Sequence, residues 1–244
     1  DRGYHIHLDK PAGIDLEEFK HLLMSAKEKN LIIQMGYMYR YNNAIKYTFN
    51  KIKEGFVGTP LSIEASMSTG LNVDFKKRLM SYNVLAPSMY IYGCHLIDLI
   101  VSILGKPKRV IPFNKKTGID NLDLEDSGFA ILEYDKGIAT VKINCSEING
   151  WERREFTVCG EQGTIMVQPI ETPSKVVICN KEYAKAWNCC GKEVEIEPQN
   201  GRYIDQFKHL YRMINKEEQN PYSYEHEYLV HKLTLEACGY CFDK

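Results

Sequence analysis

The feature that most constrains this chain is a change of period at Pro107. Before it, apolar residues recur at helical spacing or in short compact runs. Beyond it they alternate in short segments bounded by turns. Gly128 to Tyr134 and Ile138 to Cys145 flank Asp135-Lys136-Gly137, and Arg154 to Cys159 and Thr164 to Gln168 flank Gly160-Glu161-Gln162-Gly163. Each pair is a hairpin signal, and Lys175 to Cys179 and Glu193 to Ile196 add two further strands. Such a run commits the chain to a large, mostly antiparallel sheet, whose apolar face must be covered by the amphipathic helices on either side. The expected class is therefore α+β.

The first residues follow a different plan. Tyr4 to Leu8 reads as a short strand, and Asp15 with Glu18 is a helix-start signature. Leu16, Phe19, Leu22, Leu23 and Ala26 share one helical face up to about Lys29, where Asn30 stops the helix. Leu31 to Met35 is a second strand, ending at Gly36. Strand, helix, strand is a βαβ unit with parallel strands. Asn42 or Asn43 then starts a helix carrying Ile45, Phe49 and Ile52 and closed by Gly55, and Thr59 to Ser68 alternates as a strand. Gly70 to Leu85, with Lys76, Lys77 and Arg78 together, reads as a solvated loop. Gly93 to Leu104 is helical. The chain ends in two helices, one with Tyr203, Ile204, Phe207, Leu210, Tyr211 and Ile214 in a single stripe and one with Leu229, Leu233 and Ala237. The expected division is a βαβ piece over residues 1–37 and an α+β domain over residues 38–244.

Composition narrows the function classes. The 244 residues carry a formal net charge of −1, which gives no electrostatic case for nucleic acid or an anionic membrane as partner. No apolar run has the length of a membrane span, and no secretory pattern opens the sequence. A cytoplasmic protein is the expectation. The eight cysteines then read as reduced thiols. Cys238 and Cys241 have C-x-x-C spacing without a second pair at zinc-site distance, so buried structural thiols are expected there; Cys189-Cys190 has no ligand cluster beside it, and no metal is expected.

Three stretches carry chemistry: Leu8-Asp9-Lys10-Pro11-Ala12-Gly13, Gly36-Tyr37-Met38-Tyr39-Arg40-Tyr41-Asn42, and Tyr92 to Pro107 with His95 and Asp98. Each has a plain structural reading: a solvated strand end, an aromatic packing seam with Arg40 stacked in it, and a core histidine near a helix start. In this order, however, the three resemble the Gfo/Idh/MocA family, the nicotinamide-dependent sugar and cyclitol oxidoreductases that include glucose–fructose oxidoreductase and inositol dehydrogenase. Asp9-Lys10-Pro11 is similar to the family's Glu-Lys-Pro strand end. Gly36 to Asn42 is similar to its GYxxRYNP segment, with Asn43 for Pro, and Gly93, His95 and Asp98 to its DxGxHxxD helix start. Phe156 to Ile165 and the last helix also resemble the family, so the likeness runs along essentially the whole chain.

The resemblance implies a Rossmann strand end followed by a substrate domain. It implies Lys10 and His95 as catalytic residues, Lys10 and Pro11 at the cofactor, and Arg40, Tyr41 and Asp98 on the substrate side. NAD or NADP would be the cofactor and a sugar-like molecule the substrate. The chemistry fits the residue types. Oxidising a secondary alcohol releases a proton, which a near-neutral imidazole accepts. A lysine beside a nicotinamide cation has its pKa lowered by like charge and desolvation. The resemblance also implies a homo-oligomer formed through the open face of the sheet.

Two departures stand out. Ile91 occupies the place of the family's aspartate, four residues before His95, and no two glycines are spaced as G-x-G anywhere in the chain. The expectation is thus the carboxyl-terminal portion of such an oxidoreductase, without the pyrophosphate turn, binding no cofactor in the family's manner and inactive in this form. The small sheet would keep an exposed edge and an uncovered apolar face. The alternative is a non-catalytic binding or assembly module that retains the oligomerising sheet.

Overall fold

A computed structural model describes residues 2–171, 173–181 and 191–242. The first strand, β1 (Ile6–Leu8), pairs in parallel with β2 (Ile33–Met35), aligning His7 with Gln34. Helix α1 (Leu16–Glu28) makes the crossover. The Asp15 carboxylate caps it by accepting the Glu18 N–H at 2.9 Å, and Asn30 ends it in the left-handed region at φ 54°.

Met38–Tyr41 forms one 3-10 turn, and Asn42 then caps α2 (Asn43–Lys53) by accepting the Ala44 and Ile45 N–H groups. Strand β3 (Pro60–Ser66) leads to α3 (Val73–Met80), and a wide π turn at Met89–Gly93 opens α4 (Cys94–Leu104). The remaining strands are β4 (Arg109–Lys115), β5 (Ser127–Glu133), β6 (Ile138–Asn144), β7 (Glu155–Gly160), β8 (Gly163–Val167), β9 (Val176–Asn180) and β10 (Lys192–Val194). The last helices are α5 (Ile204–Ile214) and α6 (Tyr224–Cys238).

The eight later strands make one sheet in the order β10-β9-β8-β7-β3-β6-β5-β4. Every neighbouring pair is antiparallel except β3 with β6. Alternation sorts its two faces as the period demands. Ala130, Leu132, Val141, Ile143, Phe156 and Val158 point to the helices and are fully buried. Ile111, Phe113, Phe129 and Ile131 lie on the other face, where Phe113 pairs with Phe129 and Ile111 with Ile131 across β4 and β5. The α+β architecture and the antiparallel sheet agree with the sequence reading. One continuous core joins Phe19 and Leu23 of α1 to Leu233 and Leu235 of α6, so the two expected divisions of the chain share an interior.

Four expectations are corrected. Residues 73–80 form α3, not a loop: Lys76 is buried, its ammonium held by Asp120 at 2.7 Å and the Ser146 hydroxyl at 2.8 Å, so only Lys77 and Arg78 of that basic cluster face solvent. The second face of the small sheet is covered, because α5 returns over it. Gln206 reaches the His7 ring at 3.0 Å and its backbone carbonyl accepts from Gln34, while the outer edges of β1 and β2 pair with no further strand among the described residues. The α5 stripe correspondingly points outward, with Ile204, Phe207, Tyr211 and Ile214 exposed while Gln206 and Met213 are buried. Cys238 is buried as expected but Cys241 is exposed, and both are free thiols. Cys189 and Cys190 lie outside the described residues. Among those described, no group of histidines, cysteines and carboxylates has the makings of a metal site, and no helix is long and apolar enough to cross a membrane.

Candidate active site

Strand β1 delivers Lys10 to the mouth of a cleft of about 370 Å³ lined by Pro11, Gly13, Tyr82, Tyr90 and Ile91. Its backbone is held on both sides: Asp9 Oδ1 accepts the Lys10 N–H at 2.9 Å, and the Gly13 N–H donates to the Tyr90 hydroxyl at 3.1 Å. Gly36 leaves room for this turn, since a Cβ there would press on Asp9 Oδ1 at 3.1 Å. The ammonium donates to the carbonyl of Ile91 at 2.8 Å. Ile91 lies in the π turn, whose backbone carbonyl holds the lysine whatever side chain the residue carries.

His95 lies in the first turn of α4 and is 2% exposed. Its ring meets those of Tyr37, edge-on at 6.0 Å, and Tyr39 at 5.4 Å. Its Nδ1 has no hydrogen-bond partner, and neither has the buried Tyr37 hydroxyl. Burial, reinforced by the positive charges of Lys10, Arg202, Arg154 and Arg40, holds its pKa well below the usual histidine range. His95 is therefore a neutral imidazole with one buried, unpartnered nitrogen, in the field of the Lys10 ammonium. Orphaned buried polar atoms are rare, and a titratable group strongly perturbed by burial and neighbouring charge marks a candidate functional site.

Arg40 and Asp98 are engaged with each other. The guanidinium forks onto Asp98, Nε to Oδ2 at 2.8 Å and Nη2 to Oδ1 at 2.6 Å, and onto Glu227 at 2.7 and 2.8 Å. Tyr222 stacks on it at 3.5 Å and His226 completes Asp98 at 3.1 Å. Burial opposes the Asp98 charge, but the field and hydrogen bonds of Arg40 outweigh it and hold the carboxyl below its usual range. This is the aromatic seam with a stacked arginine, made permanent by two carboxylates. Tyr41 turns its hydroxyl to Gln34 and His209, at 3.0 and 2.8 Å. The structure thus brings Lys10 and His95 into one electrostatic neighbourhood and commits Arg40, Asp98 and Tyr41 to contacts within the fold.

Sequence reasoning passed over a second set. Arg154, Phe156 and Val158 share the inward register of β7, so the arginine is buried and must find an acid. It finds Glu171 at 2.7 Å, lies 3.6 Å over the Trp151 ring, and comes within 3.5 Å of the Tyr39 hydroxyl. Arg202 takes the other Glu171 oxygen at 2.8 Å. An arginine in phase with apolar strand residues was the available signal.

The residues present do not fit a dinucleotide. With no G-x-G in the chain and only two strands in the parallel sheet, the described residues form no pyrophosphate cradle.

Comparison with known proteins agrees with this picture. The GFO/IDH/MocA C-terminal domain matches residues 48–166. The 2,7-anhydro-N-acetylneuraminate hydratase of Escherichia coli K12 is 22% identical over 181 residues, covering 71% of this chain and 48% of its own length. The chain thus spans about half the length of that curated relative. Levoglucosan dehydrogenase, solved with NADH and levoglucosan, superposes with a TM-score of 0.80 at 16% identity, covering 97% of this chain and 72% of that one. The UDP-N-acetylglucosamine 3-dehydrogenase GnnA of Acidithiobacillus ferrooxidans gives 0.77 at 16% identity, covering 96% and 69%. Residues 48–166 thus match the GFO/IDH/MocA C-terminal domain, and the solved structures share the fold of the chain.

Proposed function

We propose that this chain provides the proton-handling side of an oxidoreductase that acts at a hydroxyl or keto carbon of a sugar-like molecule. The observation that carries this reading is the neutral, buried His95, whose Nδ1 has no hydrogen-bond partner among the described residues and which lies in the field of the Lys10 ammonium. As an alcohol carbon is oxidised, its hydroxyl proton passes to that nitrogen; in the reverse direction the protonated ring returns it to the carbonyl oxygen. A positioned base of this kind contributes about 10²–10⁴-fold. Lys10, anchored on the Ile91 carbonyl, offers its remaining N–H groups to the developing alkoxide. Arg40 and Asp98 fix the α4 start against the 3-10 turn and α6, so we assign them to positioning, not to substrate contact.

The sugar-directed names of two solved neighbours support the substrate class, and the nicotinamide cofactor of one supports NAD or NADP for the complete enzyme. No step is assigned to that cofactor on the residues described. The test is the His95 ring signal in NMR during titration with a panel of hexoses and inositols. At least one should shift it saturably, and Lys10→Ala should abolish the shift. Silence across the panel, or a shift indifferent to Lys10, contradicts the assignment.

The same reading places a homo-oligomer interface on the outer face of the sheet, where Phe113, Phe129, Ile111 and Ile131 form adjoining cross-strand pairs. Light scattering should give a multiple of the 28.2 kDa chain mass that Phe129→Arg reduces to one. A monomeric parent chain would remove this part of the reading.

A further inference from the structure

Arg202 is held in a way that leaves one side of its guanidinium unused. Its Nε donates to the Met38 sulfur at 2.8 Å and its Nη2 forms an ion pair with Glu171 at 2.8 Å, while its Nη1 has no partner among the described residues. The group is 39% exposed and lies 5.5 Å from the Trp151 ring centre. It lines a cleft of about 440 Å³, together with Trp151, Asn43, Ser174, Pro198 and Gly201, apart from the Lys10 cleft.

The charge balance decides what such a cleft takes. Glu171 is nearly buried, and both its oxygens are already occupied, one by Arg154 at 2.7 Å and the other by Arg202. Two guanidiniums against one carboxylate leave a net positive charge at the floor. The other carboxylate of the cleft, Glu197, is on an exposed residue at the mouth, where water screens it. A planar guanidinium clamped at two of its nitrogens loses little entropy when it accepts a further ligand. Its charge also reaches His95, whose pKa it helps to lower, so an anion seated here faces the same neighbourhood as the imidazole.

We propose that the Arg202 cleft is a binding subsite for an anionic group, a carboxylate or a phosphate, on a small hydroxylated ligand, with Arg202 as its binding residue. Occupancy needs neither cofactor nor turnover, so the subsite stands or falls separately from the proton-handling role of His95.

The test follows the Trp151 indole N–H signal of the 244-residue chain during titration with glucuronate, glucose 6-phosphate and glucose. At least one of the two anions should shift it saturably while neutral glucose does not, and their relative affinities tell a carboxylate site from a phosphate site. Arg202→Gln should weaken the anion by roughly tenfold or more, the range for a lost charge-assisted hydrogen bond. Arg202→Lys keeps the charge without the fork, and should bind at intermediate strength if the glutamine variant does not fold. Equal response to glucose, no response to either anion, or full affinity in the lysine variant overturns the proposal.

Discussion

His231 sits in the middle of α6 with both ring nitrogens unpartnered and its ring edge-on to Phe19 at 4.9 Å. Burial lowers its pKa to about 4, against an opposing contribution from the Gly13 backbone. A histidine whose folded pKa lies below its unfolded value of about 6.5 stabilises the fold fully above that value and withdraws the contribution as pH falls towards 4. The chain should therefore lose about 3 kcal/mol of stability between those pH values from this residue, at roughly 1.4 kcal/mol per pH unit. Urea melts of the parent and of His231→Leu measure it: the variant should show a visibly flatter pH dependence over that interval, and identical slopes would refute the assignment. Lys76 makes the complementary point about legibility. In the sequence it is one of three adjacent cations, and nothing local says that it is buried, because Asp120 and Ser146 lie far along the chain. Arg154 was equally opaque, its acid being 17 residues away on another segment.

Elements announced by local rules were legible. The caps Asp15 and Asn42, the hairpin turns and the alternation of β5 to β8 depend on a few consecutive residues, and all appear where their spacing puts them. Elements whose partners are distant were not. The outward stripe of α5 looks like a core face until Gln206 is seen to pack on His7, and the π turn has no signature in Met89-Tyr90-Ile91-Tyr92-Gly93. One turn glycine can be tested directly. A Cβ on Gly160 would come within 2.3 Å of the Val57 carbonyl oxygen and 2.8 Å of that of Thr59, both backbone atoms that the β3–β7 register fixes. Gly160→Ala should cost about 1–3 kcal/mol, the range for forcing extra volume into a packed site. A denaturant midpoint unchanged from the parent would show that this end of the sheet is looser than described.

At the scale of the whole molecule, the described residues pair an eight-stranded sheet with a small parallel sheet of two strands. The candidate site lies where the two meet: Lys10 follows β1, His95 opens α4, and the π turn between them carries the carbonyl that joins them. That meeting was legible only as three motifs in order, since their spacing along the chain gives no hint that residue 10 bonds to residue 91. We propose that Lys10 and His95 form a proton-handling pair in a chain whose described residues offer no cradle for a dinucleotide. Titration with NADH and NADPH, followed by nicotinamide fluorescence, tests it most directly. No saturable change is expected up to about 100 µM, beyond the micromolar range in which a built nucleotide site would fill. Saturable enhancement at micromolar concentrations would contradict it.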